Sequence, residues 1–291
     1  MGGAGIKACE LTAWQVAGFR SGIAAAMFLL CLPQSRRIWD AKAALVGAGY
    51  AATMILFVLA NRLTTSANTI FLQSAAPLYI LLLGPRLLGE KNRPSDGLVM
   101  AMVAGGLSLF FIGSEAPVRT APDPVRGNLL ATLSGLCWAL TIVGMRWLGR
   151  EERAGRAHTA PAVAIGNLFA LFVSLPFALP VLHARPVDVA IVVGLGTVQI
   201  GLAYLFLTKA LRVVPALQAM ILLLLEPALN PVWAWLWHGE RPGAWSIAGG
   251  VLILSATIFK TWQDTRAAGS GAAGAGGAGG GTLAGAGATV A

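Results

Sequence analysis

Two charges sit where a membrane-spanning helix accommodates them worst. Glu226 lies about halfway along Ala216 to Trp237, and Arg20 about halfway along Leu11 to Leu32; each is the only Asp, Glu, Lys or Arg of its stretch. A charge at that depth costs on the order of 3 kcal/mol on insertion scales, so each must face a cavity or a partner. A carboxylate there can take up and release a proton or hold a substrate, which makes Glu226 a candidate coupling or binding group. The alternative is a structural ion pair, with Arg20 as one possible partner. Arg20 stays charged and cannot shuttle protons, so it belongs either to such a pair or among the substrate-binding groups. Asn230 follows Glu226 by one turn on nearly the same face, and Pro227 removes a backbone donor beside them. A kink there could open carbonyls to a ligand or merely shape packing. Ser134, Trp138, Thr141 and Met145 recur at spacings of 4, 3 and 4 along one helix face, which periodicity alone leaves open between a lining and a packing stripe. Tyr50, Thr53, Gln199 and Tyr204 are weaker lining candidates.

The elements that carry these groups are uncharged runs. Residues 43–61, 63–85, 97–114, 127–145, 157–184, 189–208 and 242–259 contain no Asp, Glu, Lys or Arg. Each is long enough to cross a hydrocarbon core of about 30 Å as a helix. With the Arg20 and Glu226 segments they predict nine transmembrane helices. The chain is 56% apolar and only 11% charged, with a mean hydropathy of +0.72, so these helices must present apolar surface to lipid. Continuous apolar runs without period-2 alternation predict helices rather than a barrel. The net charge of +9 is explained by its distribution. If the first span runs from outside to inside, fourteen Lys and Arg fall on the inner side, six on the outer side, and Arg20 within the membrane, which accounts for all 21. The positive-inside rule therefore places Met1 outside and Ala291 in the cytoplasm. No basic stripe with interleaved aromatics points to nucleic acid.

The chain also repeats itself at an offset of 150. Residues 60–90 and 210–240 share Ala60/Ala210, Arg62/Arg212, Leu72/Leu222, Pro77/Pro227, Gly89/Gly239 and Glu90/Glu240. Arg, Pro, Gly and Glu are costly or conformationally special in a membrane helix, which gives these matches weight. Five spans separate the copies, and an odd separation inverts the second relative to the first. Inverted repeats are a recurrent architecture of secondary transporters, with substrate held near the bilayer midplane. Asn68 and Gln218 are equivalent in the repeat and begin the same helix in each half; they could line opposite ends of one pathway or serve as hydrogen-bonding groups at helix ends. Glu90 and Glu240 are expected to anchor or cap at the interface rather than line a site.

The stretches Phe57 to Glu90 and Leu207 to Glu240, each with an Ala-rich entry, a mid-helix Pro and a terminal Gly-Glu, resemble the paired halves of the EamA-like branch of the drug/metabolite transporter superfamily. Gly127 to Arg146 resembles that family's sixth helix, with Trp138 at its usual place, and Ala17 to Ala25 its second. The resemblance covers roughly residues 11–262. It implies ten helices in two sets of five, with the Trp138 face bordering a cavity suited to organic substrates. One departure stands out: only ten residues precede the first span, and Met1 to Glu10 cannot cross a membrane. The expectation is a chain that begins at an internal methionine, the alternative being loss of that helix.

The expected organisation is therefore a first repeat of four helices over 1–113, lacking its first; an outer linker over 114–126; a second repeat of five helices over 127–262; and a disordered Gly/Ala-rich cytoplasmic tail over 263–291. Cys9, Cys31 and Cys137 are isolated, the three histidines fall at span ends, and there is no phosphate loop, HExxH or nucleophile elbow. These patterns predict no enzyme, no cofactor and no metal. The expected function is a multi-pass inner-membrane permease for small organic metabolites or drugs, working by alternating access. Its partners would be the small-molecule substrate and membrane lipid, with protons and a second copy of the chain compatible with the sequence. A non-transporting scaffold or an integral-membrane enzyme is the alternative. The candidate binding or coupling residues are Glu226, Asn230, Trp138, Thr141, Asn68, Gln218 and Arg20.

Overall fold

The computed structural model describes residues 2–36, 39–87, 89, 92–113, 117–152, 159–204, 206 and 216–277, with side chains described except at 150–152, 216–224 and 267–277. The described residues are 84% helical and form no strand. Among the described residues eleven α-helices follow in order: α1 (Gly2–Ala8), α2 (Ala13–Cys31), α3 (Ala41–Leu63), α4 (Ser66–Gln73), α5 (Ala76–Leu87), α6 (Asp96–Ile112), α7 (Pro124–Glu152), α8 (Thr159–Ala178), α9 (Pro186–Gly194), α10 (Ala216–His238) and α11 (Ala244–Gly277). A π-helical stretch, Leu195–Leu202, continues α9.

Six described helices are long and apolar enough to cross a membrane: α2, α3, the α4–α5 pair taken as Ser66–Leu87, Pro124–Gly149 of α7, α8, and Ala244–Arg266 of α11. Asp96–Ile112 and Pro186–Leu202 are shorter apolar helices. The chain is thus a multi-pass, all-helical membrane protein.

Local chemistry sets the helix ends. Thr12 and Gln15 form a reciprocal capping box ahead of α2, Asp40 accepts the Ala43 N–H at 2.8 Å ahead of α3, and Thr65 accepts the Asn68 N–H ahead of α4. The helix expected to run through Pro77 is broken instead. Ser74 and Ala75 form a turn between α4 and α5, and Pro77, which has no N–H to give, sits in the first turn of α5. Helix α10 ends at Gly239, whose φ of 65° lets its N–H reach the Trp235 carbonyl at 2.9 Å. Gly89, its counterpart at the offset of 150, has a φ of 66°. These two are the positive-φ glycines of the described residues.

Helix α3 is central, packing on α7 and α8; α2 packs on α8, and α6 on α11. Small residues allow the close crossings. A Cβ at Gly249 would stand 2.7 Å from the Gly106 carbonyl oxygen across the α6–α11 contact, and one at Gly166 would stand 2.8 Å from that of Gly47 across α3–α8. Large apolar side chains such as Leu30, Phe172, Trp235 and Val251 point outward, as lipid contact requires.

Two boundaries differ from expectation. Helix α7 starts at Pro124, within the expected linker, and runs on to Glu152. Helix α11 continues to Gly277 through part of the stretch whose composition suggested disorder. Its Gln-Asp-Thr-Arg-Ala-Ala start holds helix formers, and the Arg266 guanidinium stacks 3.8 Å from the Trp262 ring centroid. The first ten residues also do more than precede a span. Gly2–Ala8 is a helix with Ala4 and Ile6 fully buried, packed against α10, α3 and α9.

Candidate functional site

Of the seven expected site residues, six have described side chains: five fall into two largely buried groups, and Glu226 is exposed. The first group gathers on α3. Arg20, from α2, is 1% exposed. Its Nη2 donates to the Met54 carbonyl at 3.1 Å and lies 3.9 Å from Met54 Sδ, while its Nε has no partner. Tyr50, one turn before Met54, lies within electrostatic reach of the guanidinium. Trp138 packs with Tyr50 and Met54 in an apolar cluster that also holds Phe28, Val163 and Ile200, and the Tyr204 ring stands edge-on to Phe28. Thr141, 2% exposed, donates to its own helix at the Cys137 carbonyl and lies beside Gly49 of α3. Ser134 donates to the Thr53 carbonyl at 3.2 Å and accepts from Gln73 Nε2 at 2.9 Å, tying α7 both to α3 and to the end of α4 beside its break. The 134/138/141/145 stripe therefore faces α3, with Arg20 across that helix.

The second group surrounds the first turn of α4. Asn230 Nδ2 donates to the Ser66 carbonyl at 2.9 Å, and Glu240 accepts the Ser66 N–H at 2.9 Å. The other Glu240 oxygen is in contact with the Lys7 ammonium, and both side chains are buried. Lys7 also donates to the Thr64 and Thr120 carbonyls. Burial pushes the Lys7 ammonium below the ordinary lysine range, against the upward pull of Glu240. Arg62 donates to the Cys9 and Leu11 carbonyls, and the His238 ring is 2.8 Å from the Ala4 carbonyl oxygen. Asn68 belongs to the same end. Its Nδ2 donates to Asn128 Oδ1 at 3.3 Å, where the Thr64 hydroxyl also donates. Asn68 is thus a buried hydrogen-bonding group at a helix end.

Glu226 and Asn230 diverge although one turn separates them. Asn230 is 4% exposed against α4, whereas Glu226 is exposed. Four residues leave an offset of roughly 40° around a helix, enough to turn the two side chains to different neighbours. No ion pair joins Arg20 to Glu226 among the described residues. The backbone of Gln218 belongs to the first turn of α10, and its side chain lies outside the described residues.

Sequence reasoning passed over Lys7, Asn128 and the depth of Glu240. The repeated Gly-Glu signalled Glu240, but not that it would cap α4 instead of the helix that follows it. A lone Lys inside the otherwise apolar Gly2–Ala8 segment signalled Lys7.

Comparison with known proteins places this geometry. Residues 125–262 match the model of the EamA-like transporter family. The pseudopaline exporter CntI of Pseudomonas aeruginosa is 27% identical over 195 residues in strain UCBPP-PA14 and over 198 in strain PAO1. Each alignment takes in 66% of this chain and 64% of the relative, so the chain spans somewhat under two thirds of these relatives' length. A protein of Archaeoglobus fulgidus described as an uncharacterized transporter is 24% identical over 213 residues, covering 73% of each chain. A crystal structure bearing no functional description superposes with a TM-score of 0.58 at 17% identity, over 90% of this chain and 92% of its own, which shows a shared fold. The resemblance carried by Gly127 to Arg146 and by Leu207 to Glu240 is therefore met by the family model itself, and residues 125–262 of this chain are similar to the EamA-like transporter family.

Proposed function

We propose that this chain is a secondary transporter of small organic metabolites, working by alternating access. The observation that carries this reading is a polar and aromatic group, with Arg20, Tyr50 and Thr141 buried and Trp138 partly buried among helices whose outer faces are apolar. Lipid-facing packing has no use for a guanidinium at that position, whereas a binding site does. The break between α4 and α5 and the π-helical stretch after α9 supply the interrupted helices from which such sites are built. The transporter-family match favours this reading over an enzyme, and the two Pseudomonas relatives named as exporters favour efflux.

In the proposed topology nine helices form two inverted repeats, over 1–113 and 127–262, with the 114–126 linker outside, the C-terminal tail in the cytoplasm and the inner membrane as the location. The group around Lys7, Glu240 and the start of α4 then closes the outer end, and transport requires that end to open. Glu226, on an exposed face of α10, is the proposed coupling carboxylate, and Gln218 the counterpart of Asn68 in the second half.

A reversible lock tests this. Ala4→Cys with His238→Cys, in a chain whose Cys9, Cys31 and Cys137 are replaced by Ser, should cross-link under oxidation, stop substrate flux in proteoliposomes and regain it on reduction. Undiminished flux through the cross-linked protein would contradict alternating access at this end.

A further inference from the structure

Arg20 raises a question that packing does not answer. Its guanidinium is buried, it is always charged, and its hydrogen-bonding partners among the described residues are the carbonyl and sulfur of Met54. Neither group carries a negative charge. A guanidinium offers five N–H donors, and its Nε–H together with one Nη–H forms an edge that matches the two oxygens of a carboxylate. Here Nε is unpartnered, while Nη2 makes both contacts with Met54, to its carbonyl and to its sulfur. The Nε side of that edge is therefore without an acceptor, and the weak sulfur contact is the one a carboxylate would replace. The Tyr50 phenol lies within electrostatic reach of it, and the Trp138 ring belongs to the same apolar cluster as Tyr50 and Met54.

We propose that Arg20 receives the carboxylate of an anionic organic substrate, with the substrate's apolar or aromatic body held against Tyr50, Met54 and Trp138. This rests on the transporter reading and narrows it to a substrate class. A single guanidinium with no second Lys or Arg acting on it among the described residues suits a monocarboxylate better than a phosphate dianion, whose extra charge calls for another cation. The aromatic walls select against small inorganic anions. Binding also supplies the missing counter-charge at the moment of loading, so the loaded site is closer to neutral than the empty one.

The test uses the full chain purified in detergent, with thermal stabilisation read against phenylacetate, indole-3-acetate and phenylpyruvate, and against phenylacetamide and inorganic phosphate at constant chloride. At least one of the carboxylates should raise Tm where phenylacetamide and phosphate do not. Its apparent affinity should fall about a hundredfold in Arg20→Gln, as for loss of one partner of a buried charge pair, and less in Arg20→Lys, which keeps the charge without the fork. If Arg20→Gln does not fold, the carboxylate-over-amide selectivity of the wild-type chain decides alone. No shift with any carboxylate, an equal shift with the amide or phosphate, or an unchanged affinity in folded Arg20→Gln would overturn the assignment. Counterflow of the labelled carboxylate in proteoliposomes separates the two readings. Binding without counterflow removes transport and leaves the anion site; counterflow of a neutral compound that is indifferent to Arg20 does the reverse.

Discussion

The contact between Lys7 and Glu240 makes the strongest energetic prediction. Both side chains are almost fully buried, at 5% and 2% exposure. Removing one partner of such a pair orphans the other's charge, which typically costs about 3–5 kcal/mol. In Glu240→Gln the Lys7 ammonium keeps the Thr64 and Thr120 carbonyls, and the Gln oxygen still accepts the Ser66 N–H, so the cost should lie near the lower end, about 3 kcal/mol. Lys7→Met leaves the carboxylate with the Ser66 N–H as its remaining partner, and about 3 kcal/mol or slightly more should be lost. The double variant buries no orphaned charge and should cost no more than either single change. The resulting coupling is about 3 kcal/mol, at the upper end for residues in contact. Equilibrium unfolding of the four proteins in mixed micelles measures the cycle. Additive effects, or single losses below about 0.5 kcal/mol as at ordinary surface positions, would refute the pairing and with it the closed end built on α1.

Glu226→Gln should abolish proton-driven flux while leaving substrate exchange intact, because Gln keeps the size and loses the charge. Full proton-coupled activity in that variant would remove Glu226 from the mechanism. Combined with Arg20→Gln its stability effect should be additive, since no ion pair joins the two among the described residues; a coupling above about 1 kcal/mol would contradict this. Gly249→Ala should destabilise the chain by about 1–3 kcal/mol, because the new methyl meets the Gly106 carbonyl oxygen at 2.7 Å; wild-type stability would show that the α6–α11 crossing is looser than described. A cysteine introduced within 117–123 should react with an impermeant thiol reagent from outside and one within 153–158 should not, and the opposite pattern would invert the proposed topology.

Much of the architecture was legible because a bilayer makes the rules simple. Backbone groups must pair within a segment, so apolar runs become helices, and α2, α3, α8 and α11 fall where the uncharged runs 43–61, 157–184 and 242–259 and the Arg20 segment 11–32 predicted. The break after Gln73 was half visible. Pro77 signalled a disturbance, but whether a helix bends or splits depends on which neighbours take up the freed carbonyls, and here Gln73 and Ser134 bind beside the gap. Sequence spacing put the Ser134-to-Met145 stripe on one face without saying that α3 lay opposite. It suggested one environment for Glu226 and Asn230, because periodicity carries no record of where a second helix ends. Lys7 was least legible. A seven-residue helix has no spanning signal, and its burial depends on contacts with Thr64, Thr120 and Glu240, far away in sequence.

Transport itself is the direct test. The purified chain, reconstituted into liposomes preloaded with a labelled aromatic carboxylate, should release label faster than protein-free liposomes when the same unlabelled compound is supplied outside. Release should fall to the protein-free rate in Arg20→Gln and in the oxidised Ala4→Cys/His238→Cys chain. Release no faster than from protein-free liposomes, for the carboxylates and for their neutral amides alike, would contradict the account of this protein as a transporter.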